Sequence, residues 1–498
     1  MTEPAAQPQS LPDWLAISLV TGTSGAVLVL EILAGRVMAP YVGVNLETYT
    51  AIIGTILAGI ALGAGVGGSL ADRYDPRRLI TIMLVLGGAL AISSIPIVRV
   101  LGGAAGADAQ GLPSVLLALC GFMPSAAVLS AIPPAVIKLQ LRDLDETGGV
   151  VGRLSAWGTG GAIVGTFLAG FVLVAFAAVS TLIIATGIVL ITSGVTMWLI
   201  DYEAQHTART EMLSAGAIAV LSLAAYTVID EPCDVQSSYY CISVATDPDR
   251  ADGRTLVLDD LRHSYVALDD PTHLEFWYIR QIVGAIDTLA PEGPLDVLAV
   301  GGGALTVPRH LDVTRPGSDQ IVLEIDPALI EFVEREFGVD TDRFDIRTGD
   351  GRIQLLDVPD DSLDVVVGDA FGSRAVPWHL ATNEFMAEVE RVLRPGGLYV
   401  ANIIDRSEQS FLRAEAATIR SVMPYVAVMT GGGYAAGYGG NAVVVGSTEP
   451  FDADAWDDAR RARDDDGALV ADIDTYLDGT LVLTDDFAPV DQLLTGTR

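Results

Sequence analysis

Leu295-Asp296-Val297-Leu298-Ala299-Val300-Gly301-Gly302-Gly303 decides the fold of the C-terminal half. An apolar run of this length reads as a buried strand, and it passes directly into three glycines. Glycines at such a turn let the backbone approach a ligand and open a helix N-terminus. The next strand reads Gln320-Ile321-Val322-Leu323-Glu324-Ile325-Asp326, followed by Pro327. Glu324 ends it, 21 residues beyond Gly303. An acid at that spacing is placed to accept hydrogen bonds from ribose hydroxyls. The dinucleotide fingerprint is not met, because Ala304-Leu305-Thr306 lacks its third glycine and no phosphate-binding lysine follows. The pattern suits an adenosine carried on a sulfonium better than a pyrophosphate.

Working outward, strands and helices alternate, which predicts a parallel sheet with crossover helices. Phe344–Gly351 brings Asp350 to a third strand end, where a carboxylate can meet an adenine amino group. Leu363–Gly368 is a fourth strand, closed by Asp369. Ala375-Val376-Pro377-Trp378-His379-Leu380 then reads as a loop over the site. Arg391–Asn402, with Pro395-Gly396-Gly397 inside it, reads as helix, turn and strand. Upstream, Tyr239–Val244 and Thr255–Leu258 read as strands of a small β element. In a half this acidic, an average Asp is surface charge. Glu324 and Asp369 escape that reading because each follows a buried apolar run.

The N-terminal half is different. The chain has 498 residues, 50% hydrophobic and 18% charged, with mean hydropathy +0.44. About 20 apolar residues cross a bilayer core. Seven stretches qualify: 14–35, 48–71, 79–101, 113–138, 154–176, 179–200 and 213–230. Gly59, Gly63 and Gly67 recur every four residues, which favours close helix approach. Pro133-Pro134 predicts a kink or a re-entrant break in the fourth stretch. Glu31 lies inside the first stretch, a functional position by default in a membrane helix; a structural pair with a polar partner is the plainer reading. Arg73, Arg77, Arg78, Lys138, Arg142, Arg153 and Arg209 fall on one side, against Arg36 and Arg99 on the other. The positive-inside rule then puts the N-terminus inside, and seven crossings put the C-terminal half outside. One re-entrant stretch would reverse that parity. No signal peptide is read, since Met1–Asp13 carries no positive n-region.

The net charge of −34 is concentrated in residues 231–498, with 49 acids against 20 bases. Lys138 is the single lysine. Dispersed acids with almost no lysine fit salt adaptation better than an acid-binding partner. A basic footprint for nucleic acid is missing. Cys120 reads as a small core residue. Cys233 and Cys241 either bridge, on an oxidising side, or are unrelated thiols.

The quoted motifs resemble the spermidine synthase family, the polyamine aminopropyltransferases, in its membrane-fused branch. The resemblance covers about 237–447, with a further match at Leu483–Asp491. It is strongest in Gly301–Gly303, Leu323–Pro327, Gly349–Arg352, and Asp369 with its loop to Leu380. It implies a polytopic α-helical membrane domain (1–230), a small β element (231–290) and an α/β Rossmann-like domain of the S-adenosylmethionine-dependent methyltransferase type (291–498). It implies decarboxylated S-adenosylmethionine as co-substrate, a diamine such as putrescine as acceptor, and no metal. Asp369 would be the catalytic base. Gly301, Gly302, Gly303, Glu324, Asp350, Gly351 and Tyr240 would hold the nucleoside, and His273, Glu275, Ala304 and Pro377 would line the amine side.

This chain departs from the family there. Ala304 stands where the family has an acid, Arg374 stands where a second acid is usual, Tyr240 replaces a glutamine, and His273-Leu274-Glu275 is a shifted tyrosine-histidine-glutamate. The nucleoside side is preserved and the amine side is altered. Two other functions stay open: a transferase with another acceptor, and a transport or sensing protein that binds such a nucleoside without turnover. Membrane lipid and small molecules are the expected partners, and a homo-oligomer is compatible. An external domain would be hard to supply with a cytosolic donor, so topology and chemistry pull apart.

Overall fold

Long apolar runs with few charges have one low-energy solution away from water, the α-helix, which satisfies every backbone group internally. A computed structural model describes residues 10–43, 46–105, 111–141, 143–200, 208–371 and 376–495. Two compact units are present, Met1–Cys241 and Ile242–Arg498.

In the first unit the described helices begin with α1 (Asp13–Val42), α2 (Leu46–Ala71) and α3 (Pro76–Ala105). Three short helices follow: α4 (Leu112–Gly121), α5 (Met123–Ser130) and α6 (Ile132–Gln140). Next come α7 (Thr147–Leu168), which runs through a π turn at Ala169–Leu173 into α8 (Val174–Phe176), then α9 (Val179–Ile200) and α10 (Arg209–Val228). Among the described residues, six spans are long and apolar enough to cross a membrane, and α4 with α5–α6 forms a further pair bent by 45°. The 45° bend falls at Phe122, and a second interruption, at Ala131 between α5 and α6, falls at the proline pair. Pro133 and Pro134 occupy the first positions of α6, where no intrahelical N–H is needed. A side chain at Gly63 would collide with the Ala127 carbonyl, so α2 packs on the broken span through bare backbone.

The unit closes with the short strand β1 (Val235–Gln236) and the bridged cysteines Cys233 and Cys241. Arg36 donates to the carbonyls of Ser237, at 2.7 Å, and Tyr239. Arg99 donates to Glu231 at 2.8 Å and lies over the Tyr226 ring. Both arginines near helix ends are thus tied to the segment around the bridge.

The second unit starts with an antiparallel sheet of β2 (Cys241–Thr246), β3 (Gly253–Leu258) and β4 (Leu261–Ala267). The first strand begins two residues later than the sequence suggests. The main sheet has eight strands: β5 (Asp296–Val300), β6 (Asp319–Glu324), β7 (Asp345–Thr348), β8 (Leu363–Gly368), β9 (Leu393–Asp405), β10 (Tyr425–Thr430), β11 (Gly440–Ser447) and β12 (Ala468–Leu469). Their order is β12-β10-β11-β9-β8-β5-β6-β7. Strands β5 to β9 run parallel, and β11 is antiparallel to both β9 and β10. This is the methyltransferase-type Rossmann-like sheet.

Arg391–Asn402 is not helix, turn and strand as its glycines suggest. The helix Asn383–Val392 runs directly into β9, and Pro395-Gly396-Gly397 is absorbed as an irregularity in the pairing with β8. Strand order reverses between β5 and β8. In such sheets the ligand crevice opens there, beyond the carboxyl ends of the strands.

Candidate functional site

Val300 ends β5 at that crevice, and Gly301–Gly303 follow. Gly301 has φ +97° and a Cβ there would collide with the Asp369 carbonyl. The ends of β5 and β8 therefore meet through a glycine, and the Asp369 N–H donates to the Val300 carbonyl at 2.9 Å. Gly303 and Leu305 are also left-handed, at φ +50° and +56°. The chain coils tightly before the helix Thr306–Thr314 begins.

Glu324 stands at the end of β6 and is buried. One carboxylate oxygen accepts from the Gly302 N–H at 2.8 Å, the other from the Asp326 N–H at 3.0 Å. The acid thus holds the glycine turn in shape. Each oxygen keeps a second lone pair for a ligand hydroxyl. Burial raises its carboxyl above the usual range, and the backbone N–H donors of Gly302, Asp326 and Ile325 oppose that rise.

Asp369 follows β8. Its Oδ1 accepts from Asn402 Nδ2 at 2.9 Å, and the Tyr278 hydroxyl lies against it. That hydroxyl donates to the His263 carbonyl at 2.8 Å. Burial pushes the Asp369 carboxyl up to about 6, against the opposing pull of Asn402 and Tyr278. A carboxylate poised near neutral pH suits a general base.

Asp350 caps the helix Gly351–Leu355, accepting from the N–H groups of Arg352 and Ile353 at 2.9 and 3.2 Å. Its other oxygen faces His379 Nε2 at 3.0 Å. Arg352 makes a two-pronged pair with Asp485 at 2.7 Å and donates to the His379 carbonyl at 3.1 Å. Thr382 also donates to Asp485, at 2.8 Å. Pro377 opens the single turn Trp378–Leu380. The turn Trp378–Leu380 and the Leu483–Asp485 segment are thereby fastened beside Asp350. Among the described residues no group of three or more His, Cys, Asp or Glu is placed to hold a metal.

Comparison with known proteins fits this geometry. Residues 298–401 match the family described as a methyltransferase domain. A polyamine aminopropyltransferase of Vibrio vulnificus is 31% identical over 150 residues, which is 30% of this chain and 49% of that protein. Polyamine aminopropyltransferase 2 of Streptomyces coelicolor is 25% identical over 450 residues, 84% of this chain and 78% of that one. A crystal structure of a probable spermidine synthase from Corynebacterium glutamicum is 27% identical. It covers 51% of this chain and 97% of its own, with TM-score 0.48.

Over part of its length, the chain is similar to polyamine aminopropyltransferases.

The match spans about half the length of the Vibrio relative. Against the aminopropyltransferase pattern, the altered residues have these places. Ala304 is buried, and its N–H donates to Ser264 Oγ at 3.1 Å, so strand β4 lies beside the glycine turn. His273 Nε2 meets Glu275 Oε2 at 3.1 Å, and its ring packs near Tyr265. Tyr240 belongs to the first unit, where its N–H donates to Ser237 Oγ at 2.8 Å. Arg374 lies outside the described residues.

Three contributors escape the sequence reading: Ser264, Tyr278 and Asn402. Asn402 alone leaves a trace there, as a polar residue inside an otherwise apolar run, Leu398-Tyr399-Val400-Ala401-Asn402-Ile403-Ile404.

Proposed function

We propose that the C-terminal unit is an aminopropyltransferase. The donor would be decarboxylated S-adenosylmethionine and the acceptor an amine such as putrescine. The observation that carries this is the meeting of Gly301, Glu324 and Asp369 at the strand-order reversal. Glu324 and the glycine turn would hold the ribose, and Asp350 and Gly351 the adenine. The acceptor nitrogen attacks the carbon beside the sulfonium. A carbon–nitrogen bond forms, the carbon–sulfur bond breaks and its electrons stay on sulfur, giving methylthioadenosine. Asp369 takes the proton lost by the amine. Little covalent chemistry falls to the protein, so alignment and proton transfer supply its contribution.

One observation favours a second reading. The buried Ala304, fastened to Ser264, presents no carboxylate to a cationic chain. A transferase with a different acceptor fits that position. Competing amines and other nucleophiles, offered with the same donor, separate the two by which product forms.

The first unit is proposed to span the bilayer seven times, counting the bent pair as one crossing. That parity puts the second unit outside, and the Cys233–Cys241 bridge supports the outer side. The Streptomyces alignment of 450 residues is too long to lie in the second unit alone, which supports a shared membrane part. Protease added to sealed, right-side-out vesicles should cut the second unit. Complete protection there places it inside.

A further inference from the structure

Asp369 has two carboxylate oxygens, and an amine proton can be delivered usefully to one oriented toward the acceptor. Oδ1 accepts from Asn402 Nδ2 at 2.9 Å. Asn402 lies on β9, beside β8, and is almost wholly buried. Its own carbonyl oxygen accepts from Asn441 Nδ2 at 2.9 Å. Asn441 lies on β11, the next strand along. The Asn441 backbone carbonyl accepts from the Gly431 N–H at 3.1 Å, which holds the Asn441 backbone in place.

A side-chain amide can be turned over at little cost in itself, so its direction is set by its partners. Asn441 presents a donor, so Asn402 must present its oxygen to Asn441. That leaves the Asn402 NH2 facing Asp369. Reversed, Asn402 would aim a carbonyl oxygen at a carboxylate, which is repulsive unless the acid is protonated.

We propose that the amide pair Asn441–Asn402 fixes Oδ1 of Asp369 as a bound acceptor and thereby sets the direction in which the carboxylate faces the acceptor's proton. Asn402 and Asn441 are then positioning residues, acting through Asp369. The assignment rests on the aminopropyl-transfer reading for its chemistry, and on the hydrogen-bond chain for its geometry. Among the described residues, the other titratable group against Asp369 is Tyr278, from the helix Trp277–Leu289. Burial raises its phenol far above the ordinary range, so it stays protonated while Asp369 titrates. Asn402 and Asn441 carry no charge. The same donor that orients Asp369 also opposes the upward push of burial on its carboxyl.

The test uses the full chain in detergent or nanodiscs, with Asn402→Leu and Asn441→Asp. Asn402→Leu removes the donor with little change of volume. Asn441→Asp replaces the far donor by a charged acceptor, so Asn402 turns its carbonyl toward Asp369; because the new charge also raises the Asp369 midpoint, Asn402→Leu is the deciding variant. Both variants should lose about 10- to 100-fold in kcat, the scale of a misplaced reacting group. Binding of methylthioadenosine should stay within about twofold, and the acid limb of the pH profile should move to higher pH in both. A purely structural role would lower activity without moving that limb.

A second readout does not need turnover. The infrared carboxylate band that disappears in Asp369→Asn is titrated in each protein. A higher midpoint in both variants than in the unmodified protein supports the proposal. An unchanged midpoint in Asn402→Leu overturns it, whether or not the enzyme turns over. Absence of methylthioadenosine release from the unmodified protein counts instead against the reaction assigned above.

Discussion

Asp369 is asked to take a proton in a place that resists charge. Burial puts its carboxyl at about 6, above the ordinary carboxylate value of 3.8. The base works only when ionised, so kcat/KM should rise with pH along a limb centred near about 6. The sign for stability is opposite. A raised acid binds its proton more tightly in the folded state, so its contribution is greatest below the ordinary value and is lost as pH rises through about 6. Asp369→Asn should therefore abolish turnover yet melt higher than the unmodified protein at about pH 8, with the advantage shrinking toward about pH 5. Calorimetry at the two pH values measures both.

Glu324 answers differently, because both its oxygens already hold backbone N–H groups. Glu324→Gln replaces one acceptor oxygen by a donor. It should weaken methylthioadenosine binding by about 10- to 100-fold, the cost of losing one or two hydrogen bonds to a charged acceptor. Titration calorimetry of the variant checks this. The two acids were legible in the sequence for a physical reason: each ends an apolar strand, and a charge there must be either satisfied or used. Asn402 was not, because its function depends on β11 lying beside β9, a pairing no local pattern reveals. His379 reaches Asp350 only once the loop after β8 is folded back beside Arg352 and Asp485.

Among the elements, the glycines of α2 are legible for the same kind of reason. Gly59, Gly63 and Gly67 share one face, and that face meets the broken span without side chains between. Gly63→Val puts a branched side chain against the Ala127 carbonyl. Overpacking of this kind costs about 1–3 kcal/mol or more. The variant should show a lower melting temperature in detergent, read by tryptophan fluorescence, while Gly65→Val, which faces open space, should not. Pro133 and Pro134 mark the interruption at Ala131, because prolines at the start of a helix remove N–H groups that have no partner there, but the larger bend, at Phe122, carries no such signal. Pro395-Gly396-Gly397 suggests a turn that the structure does not form. A turn-forming triplet was absorbed into β9 because the neighbouring strand β8 supplied partners on either side of it.

For the whole molecule, two compact units of different chemistry share one chain. The division into an apolar helical half and an acidic α/β half follows directly from where the charges stop and start. The Cys233–Cys241 bridge did not follow, since spacing alone allows free thiols equally. Closing a loop of that size is worth about 2–3 kcal/mol by the chain-entropy estimate. Cys233→Ser with Cys241→Ser should therefore melt lower than the unmodified protein, and a reducing agent should erase the difference. The acidic second unit should gain stability as salt is added, because screening relieves its self-repulsion.

The central claim is that the crevice between β5 and β8 transfers an aminopropyl group. The most direct measurement is release of methylthioadenosine by the purified full chain given decarboxylated S-adenosylmethionine and putrescine, with Asp369→Asn beside it. The account predicts release by the unmodified protein, and none by the variant although it still binds the nucleoside. Intact nucleoside binding with no release from the unmodified protein would contradict it.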